Sequence, residues 1–304
     1  MVVWRTVTDL VKRRPEALRL ADRLGRGRGR FRWLDGLWHP DHAAHRPDLR
    51  DWQRHELAAV WIGHATVLIR MGGQTILTDP VLSSRVGLSL GIATGGPLRL
   101  VAPALGLNQL PPIDVILLSH AHYDHLDRPT LARLPKSAQV ITAGHTRDLV
   151  QDLGFSRVTE LEWGQSHGVG GVMIRACEVR HWGARTFVDQ QRHACGYVLE
   201  ADGRRVLFGG DSAFGRHFQQ IGGVDLAVLG IGAYNPWIMG HANPEQAWQM
   251  ADDVRADFVL PMHHSTFRLS HEPTGEPIGR LQEAAGRGAD RIIIREVGQS
   301  WSLN

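Results

Sequence analysis

Ser119-His120-Ala121-His122-Tyr123-Asp124-His125-Leu126-Asp127 follows directly on the apolar run Val115-Ile116-Leu117-Leu118, and between His120 and His125 it packs three imidazoles and one carboxylate. A short apolar run bounded by polar residues reads as a buried strand, so the His-x-His-x-Asp-His cluster sits on the turn that leaves it. Neutral imidazole nitrogens beside a carboxylate oxygen suit zinc or another borderline divalent ion. Three histidines in an ordinary core would each need a hydrogen-bond partner in too little space. The cluster therefore points to metal.

Three other stretches end in the same way. Arg205-Val206-Leu207-Phe208-Gly209-Gly210 runs into Asp211, Asp257-Phe258-Val259-Leu260-Pro261-Met262 into His263 and His264, and Val172 to Arg180 into His181. Each reads as a strand with a metal-capable residue where it stops, and strand ends gather at one edge of a sheet. Alone, Gly-Gly-Asp is also ordinary turn chemistry, and His181 or His263 could be a core or surface histidine. Their shared placement is what groups them.

The set resembles the metallo-β-lactamase superfamily, in which a His-x-His-x-Asp-His loop is followed by a third-strand His, a bridging Asp and a final His. The resemblance implies that His120, His122 and His181 hold one metal, that Asp124, His125 and His263 hold the other, and that Asp211 bridges them. It also implies two Zn2+, with Mn2+ or Fe2+ as alternatives. The implied fold is α/β, a four-layer αββα sandwich of two mixed β-sheets. Within the superfamily the chain is more similar to the N-acylphosphatidylethanolamine-hydrolysing phospholipase D group. That likeness rests on Trp61-Ile62-Gly63-His64-Ala65-Thr66-Val67, Leu77-Thr78-Asp79-Pro80, Ser83-Ser84-Arg85, Leu110 to Asp114, His181-Trp182, Ile231 to Tyr234 and His241-Ala242-Asn243-Pro244-Glu245. The chain departs from the group's pattern at Ser212, at His264-Ser265-Thr266-Phe267 and at Asn235.

The reaction so implied is hydrolysis of a phosphodiester, with N-acylphosphatidylethanolamine or a related glycerophospholipid as substrate. Two ions about 3.5 to 4 Å apart lower the pKa of a shared water and take up charge on the electrophile's oxygens. Asp124 and Asp211 are the candidate catalytic carboxylates, and His64 and Asp79 are expected to orient ligating imidazoles by hydrogen bonding. His241, in a loop before a helix, matches a functional His of the phospholipase group and is expected at the substrate phosphate or leaving oxygen. A lactonase or amidase of the ascorbate-6-phosphate lactonase kind is the alternative, and an iron-dependent oxidoreductase is the alternative from another class. His145, His167 and His193 read as surface residues. Tyr234, Trp237, Ile238 and Met239 form an apolar cluster near His241 that suits an acyl chain or plain core packing.

The coarse element reading gives strands at 58–70, 74–79, 114–119, 138–142, 171–180, 195–200, 205–209, 225–230, 258–262 and 291–297. Helices are expected at 129–134, 145–152, 244–254 and 276–286, the third capped by Asn243 before Pro244. Strands interleaved with short helices in both halves fit two sheets packed face to face with helices outside.

At 304 residues and 43% hydrophobic content the chain can bury a full core. No linker divides the ligand set, so one catalytic domain over residues 56–304 follows a basic extension over residues 1–55. Cys177 and Cys195 are too few for a disulfide scaffold. The net charge of +3 conceals a gradient: residues 1–32 carry ten Arg/Lys against three Asp/Glu, a local +7 that leaves −4 for the remainder. Trp4, Val7, Leu10 and Val11 at helical spacing beside Lys12, Arg13 and Arg14 suit peripheral contact with anionic membrane or a solvated packed helix. The Gly25 to Arg30 alternation lacks aromatic stacking residues, which argues against nucleic acid. Without a signal peptide or spanning segment, a cytoplasmic location, peripheral to the membrane's inner face, is the expectation. Homodimers are common among such proteins, although no isolated apolar stripe marks an interface.

Overall fold

The computed structural model describes residues 39–89, 94–186 and 188–303. The basic extension therefore lies outside the described residues as far as residue 38, and with it the whole membrane-contacting stretch expected over residues 1–32. The chain divides into two units, one of residues 1–39 and 88–95 and the other of the remainder. In the first, strands Leu88–Ser89 (β4) and Thr94–Gly95 (β5) pair antiparallel.

In the second unit the strands are β1 (Leu57–Gly63), β2 (Thr66–Met71), β3 (Gln74–Thr78), β6 (Val115–Leu118), β7 (Gln139–Ala143), β8 (Arg157–Leu161), β9 (Ser166–Val169), β10 (Val172–Cys177), β11 (Gly196–Ala201), β12 (Arg204–Phe208), β13 (Val224–Gly230), β14 (Ala256–Met262) and β15 (Ser300–Leu303). They form a seven-stranded sheet of order β15-β1-β2-β3-β6-β7-β8 and a six-stranded sheet of order β14-β13-β12-β11-β10-β9. Both are mixed. β3, β6, β7 and β8 run parallel while β1, β2 and β3 alternate, and β12, β13 and β14 run parallel beside antiparallel β9 to β12.

The alternation of side chains along each strand builds the layers. Leu57, Ala59 and Trp61 of β1 face Tyr197, Phe208 and Val228 of the other sheet in the central core. Ala58, Val60 and Ile62 face the opposite way, into a layer with Leu126, Leu131 and Phe155. On the far side, Val198, Leu207 and Val259 pack against Trp248, Ala251 and Leu281 from α2 (Pro244–Asp253) and α3 (Glu276–Ala285). Both faces of both sheets are covered, which is why the central strands read as continuous apolar runs. The result is the four-layer α/β sandwich expected from the resemblance.

Local differences have identifiable causes. The strand expected over 58–70 is two strands, β1 and β2, because Gly63 (φ +133°) and His64 (φ +56°) turn the chain. The helix expected at 145–152 is two 3-10 turns, Arg147–Leu149 and Gln151–Leu153, stopped by left-handed Gly154. The helix at 129–134 is one turn, α1 (Arg128–Leu131). No ladder strand forms at 291–297; the chain turns at Gly298 (φ +94°) and β15 pairs with β1 instead, Trp301 opposite Ala59. Asn243 caps α2 as expected: its Oδ1 accepts from Gln246 N at 2.9 Å and its N–H donates to Gln246 Oε1 at 3.1 Å.

The parallel strands point their C-terminal ends to one edge, where β3 delivers Asp79, β6 the histidine loop, β12 Asp211 and β14 His263. Trp52 anchors the approach to β1, buried with its Nε1 donating to Thr75 Oγ1 at 3.2 Å.

Candidate metal centre

All seven expected ligands meet at that edge, with Asp211 in the middle. Its Oδ2 lies 3.1 Å from His125 Nε2, 3.2 Å from His263 Nε2, 3.7 Å from His241 Nδ1, 3.8 Å from His181 Nε2 and 3.9 Å from His120 Nε2. The donor atoms fall into the two groups the resemblance implies. His120, His122 and His181 gather with Asp211 on one side, and Asp124, His125 and His263 gather on the other with His64 joining them. His181 Nε2 is 3.2 Å from His122 Nδ1, and His263 Nε2 is 3.1 Å from His125 Nε2. Two nitrogens bound tetrahedrally to one ion at about 2.0–2.1 Å lie roughly 3.3 Å apart, so these spacings are those of ligands sharing an ion.

Three of the imidazoles are held so that one nitrogen faces inward. His125 Nδ1 donates to Asp79 Oδ2 at 2.7 Å and His181 Nδ1 donates to the Gly240 carbonyl at 2.8 Å, which leaves each Nε2 lone pair directed at the centre. His120 Nδ1 meets Ser119 Oγ at 2.9 Å, and that hydroxyl donates onward to Asp79 Oδ2 at 2.6 Å. Asp79 also accepts from Ser119 N at 2.7 Å. One buried carboxylate thus bonds to His125 directly and to His120 through the Ser119 hydroxyl. His64 plays a different part from the one expected: its Nε2 contacts a carboxylate, Asp124 Oδ2, at 3.0 Å, and its ring lies 4.2 Å from that of His263. His64, Asp79 and His263 all have positive φ, at +56°, +31° and +62°, backbone strain of the kind that concentrates at functional sites. The His64 carbonyl accepts from His263 N at 3.1 Å, coupling the two turns.

Two tests bear on whether these residues fit metal ions. His120 Nε2, on the side of Asp211, and Asp211 Oδ1 are buried without a hydrogen-bond partner among the described residues. Such orphans cost about 1–3 kcal/mol each, and coordination relieves the cost for an atom that faces the centre. The electrostatics agree. Burial pushes His120 well below the ordinary imidazole pKa and His122 and His181 down to about 4, so these nitrogens stay neutral and free to donate. Burial also opposes the charged form of His263, but the charge of Asp211 and the hydrogen bonds of Asp124 and Asp211 outweigh it and raise His263 to about 9. His125 is raised well above its usual value by the same carboxylates against the same burial penalty. Burial would also raise Asp124 and Asp211, yet the surrounding imidazoles hold both well below the usual carboxylate range. Two buried carboxylates amid five or more imidazoles is a site built for positive charge.

His241 stands beside the ligands, its ring 5.0 Å from His181 and 5.2 Å from His263, and burial lowers it to about 3. His264 lies behind His263, its ring 4.6 Å from Trp61. Sequence reading missed Arg185, whose Nη1 donates to the Ala121 and Leu126 carbonyls at 2.7 and 2.9 Å while its guanidinium lies 4.0 Å from the Tyr123 ring. That cation clamps the histidine loop, and nothing in a one-dimensional pattern links it to that loop. Ser119 was in view within the motif, but its relay from Asp79 to His120 depends on the fold.

The centre floors a cavity of about 700 Å3 lined by His122, Asp124, His181, Asp211, His241 and His263, with Trp182, Pro236, Trp237, Met239 and Leu269 on its walls and Arg180 at its side. Trp182, Trp237 and Met239 are 57%, 58% and 84% exposed, an apolar rim at the mouth.

A sandwich of two mixed sheets presenting this ligand set at one edge defines a metal-dependent hydrolase. A profile of the β-lactamase superfamily domain matches residues 74–264, and the chain belongs to that superfamily in its metallo-β-lactamase form. An uncharacterised protein of Mycobacterium tuberculosis is 35% identical over 79% of this chain and 67% of its own length. N-acyl-phosphatidylethanolamine-hydrolyzing phospholipase D 1 of Caenorhabditis elegans is 30% identical over 82% of this chain and 76% of its own length. Among solved structures, isothiocyanate hydrolase from Delia radicum gut bacteria shares the fold with a TM-score of 0.65 at 20% identity, covering 81% of this chain and 98% of that one. Among the described residues no helix is long and apolar enough to cross a membrane.

Proposed function

We propose that the protein is a zinc-dependent phosphodiesterase of the phospholipase D type acting on N-acylphosphatidylethanolamine or a related glycerophospholipid. One observation carries the reading: the ligand cluster floors a cavity whose walls are apolar and whose rim exposes Trp182, Trp237 and Met239. A substrate that brings a phosphodiester to the floor and acyl chains to the walls matches that division. The kinship with the Caenorhabditis elegans phospholipase supports the same choice. Exposed tryptophan and methionine at the mouth also suit contact with a lipid surface, where amphipathic rings sit at the headgroup level.

His120, His122 and His181 would hold one ion and Asp124, His125 and His263 the other, with Asp211 shared. A pair of divalent ions supplies Lewis acidity toward phosphoryl oxygens and lowers the pKa of water. The residues do the rest. Asp124, held ionised, accepts from His64 and is placed to hold a proton of the attacking water at its Oδ2. His241, kept neutral by burial, is placed to donate a hydrogen bond to a phosphoryl or leaving oxygen entering the cavity. Arg180 at the cavity's side adds positive charge toward the phosphate. As water's oxygen adds to phosphorus and the P–O bond to the ethanolamine oxygen breaks, that oxygen takes up the proton lost by water, and phosphatidic acid and N-acylethanolamine leave.

Zinc-loaded protein incubated with N-acylphosphatidylethanolamine in mixed micelles should release N-acylethanolamine and phosphatidic acid, measured by mass spectrometry beside a panel of lactones and amides. Turnover of a lactone without phosphodiester cleavage would replace this reading with lactonase chemistry.

A further inference from the structure

The parallel strands β6, β7 and β8 lie side by side, and the loops that leave them share an edge. The first carries the histidine cluster. The next two carry His145, just past β7, and Glu162, just past β8, which no pattern in the sequence linked. Beside them comes His193, from the segment that joins His181 to β11. Donor atoms of His145, Glu162 and His193 all lie within 4.8 Å of one another. His193 Nδ1 is 2.5 Å from Glu162 Oε2, and the two imidazole rings meet edge to face at 4.9 Å.

We propose that His145, Glu162 and His193 form a further divalent-metal site, separate from the central pair and suited to zinc. Two imidazoles and a carboxylate make a three-ligand set that leaves one position open to water. Ligands of one tetrahedral ion lie roughly 3.3 Å apart, so donors that are at most 4.8 Å apart must close by up to about 1.5 Å while His193 Nδ1 and Glu162 Oε2, now at 2.5 Å, part by about 0.8 Å, movements open to side chains at the surface.

The backbone at the cluster is arranged around these side chains. Gly144 has no Cβ, and one built there would lie 2.0 Å from Glu162 Oε1, so glycine lets that carboxylate sit against the chain. His145 holds φ +59°, and its carbonyl accepts from Arg192 Nη1 at 2.5 Å. His193 N donates to the Gly144 carbonyl at 3.1 Å. Asp148 and Asp189 pair with Arg192, at 2.6 Å each, and so balance its charge beside the cluster.

The site would fasten the segment between His181 and β11 at its far end, as Arg185 fastens it near the histidine loop. That segment walls a second cavity, of about 650 Å3, lined by Glu162, Trp163, Arg192 and His193 and also by His181 and Trp182 of the central centre. Zinc at the outer site would therefore hold a wall that the two cavities share.

The test counts zinc on the full protein with its central pair filled, by elemental analysis after equilibration in chelator-buffered zinc raised to the micromolar range. The wild type should take up one equivalent more than His145→Ala/His193→Ala and than the conservative Glu162→Gln, with circular dichroism unchanged. Anomalous scattering at the zinc edge should place that ion among the three side chains, and excess magnesium should not displace it. Equal zinc counts in the wild type and both variants, or an extra ion lying elsewhere, would overturn the site and leave an ordinary His193–Glu162 ion pair.

Discussion

Asp79→Asn changes one buried atom and tests how the ligands are aimed. In the wild type, Asp79 Oδ2 receives the Ser119 hydroxyl at 2.6 Å and His125 Nδ1 at 2.7 Å, while the backbone N–H of Ser119 donates to Oδ1 at 2.7 Å. All three partners are donors. The introduced amide can face them in two ways, and each fails. With its NH2 toward His125, the imidazole must move its proton from Nδ1 to Nε2, the nitrogen that faces Asp211 at 3.1 Å, and ligation by that nitrogen is lost. With its NH2 toward Ser119 N, two buried donors confront each other at a cost of about 1–3 kcal/mol. Loss of a partner that orients a ligand weakens metal binding by about 10–100-fold, which corresponds to about 1.4–2.7 kcal/mol. Zinc affinity measured by competition with a chromophoric chelator should fall within that range, while circular dichroism stays native. An affinity within threefold of wild type, with the fold intact, would show that Asp79 does not aim His125.

Asp211→Ala should abolish turnover and lower zinc occupancy on both sides, since one carboxylate oxygen approaches imidazoles of both groups; elemental analysis and a phosphodiesterase assay read this out. His241→Ala should lower kcat by about 10²–10³-fold, the scale of a lost transition-state donor, with zinc content and KM little changed. In chelator-treated protein, His122 and His181 fall to about 4 and so cost stability as pH drops from 6.5 toward 4, because the unfolded chain binds more protons there. His263, raised to about 9, works in the opposite sense: its stabilisation is complete below 6.5 and is lost as pH rises through about 9. Urea midpoints of the metal-free protein should therefore peak near 6.5, and a flat profile from pH 5 to 9 would contradict these assignments. Zinc must displace the proton of His263, so calorimetry in buffers of different ionisation enthalpy should show proton release that shrinks as pH approaches 9.

The metal centre was largely legible because its chemistry is local and its residue types are rare in cores. His120, His122, Asp124 and His125 declare themselves within one turn, and His181, Asp211 and His263 each follow an apolar run whose end the alternation marks. The central strands were legible for the same reason, being buried on both faces. The edges were not. β8 and β9 carry Arg157, Glu160, Ser166 and His167 among few apolar residues, since an edge strand has one neighbour and a solvated face. The turn at Gly63-His64 was hidden inside an apolar stretch, so spacing alone did not bring His64 to Asp124. His145 and His193 read as surface histidines and are indeed exposed, yet β7, β8 and the segment after His181 bring them to Glu162. Such meetings depend on strand order, which spacing along the chain does not encode.

The most direct measurement is a crystal structure of the zinc-grown protein with anomalous data at the metal edge. Two ions should flank Asp211, one held by His120, His122 and His181 and the other by Asp124, His125 and His263. A single ion at this centre, or a central pair bound by some other set of side chains, would contradict that assignment.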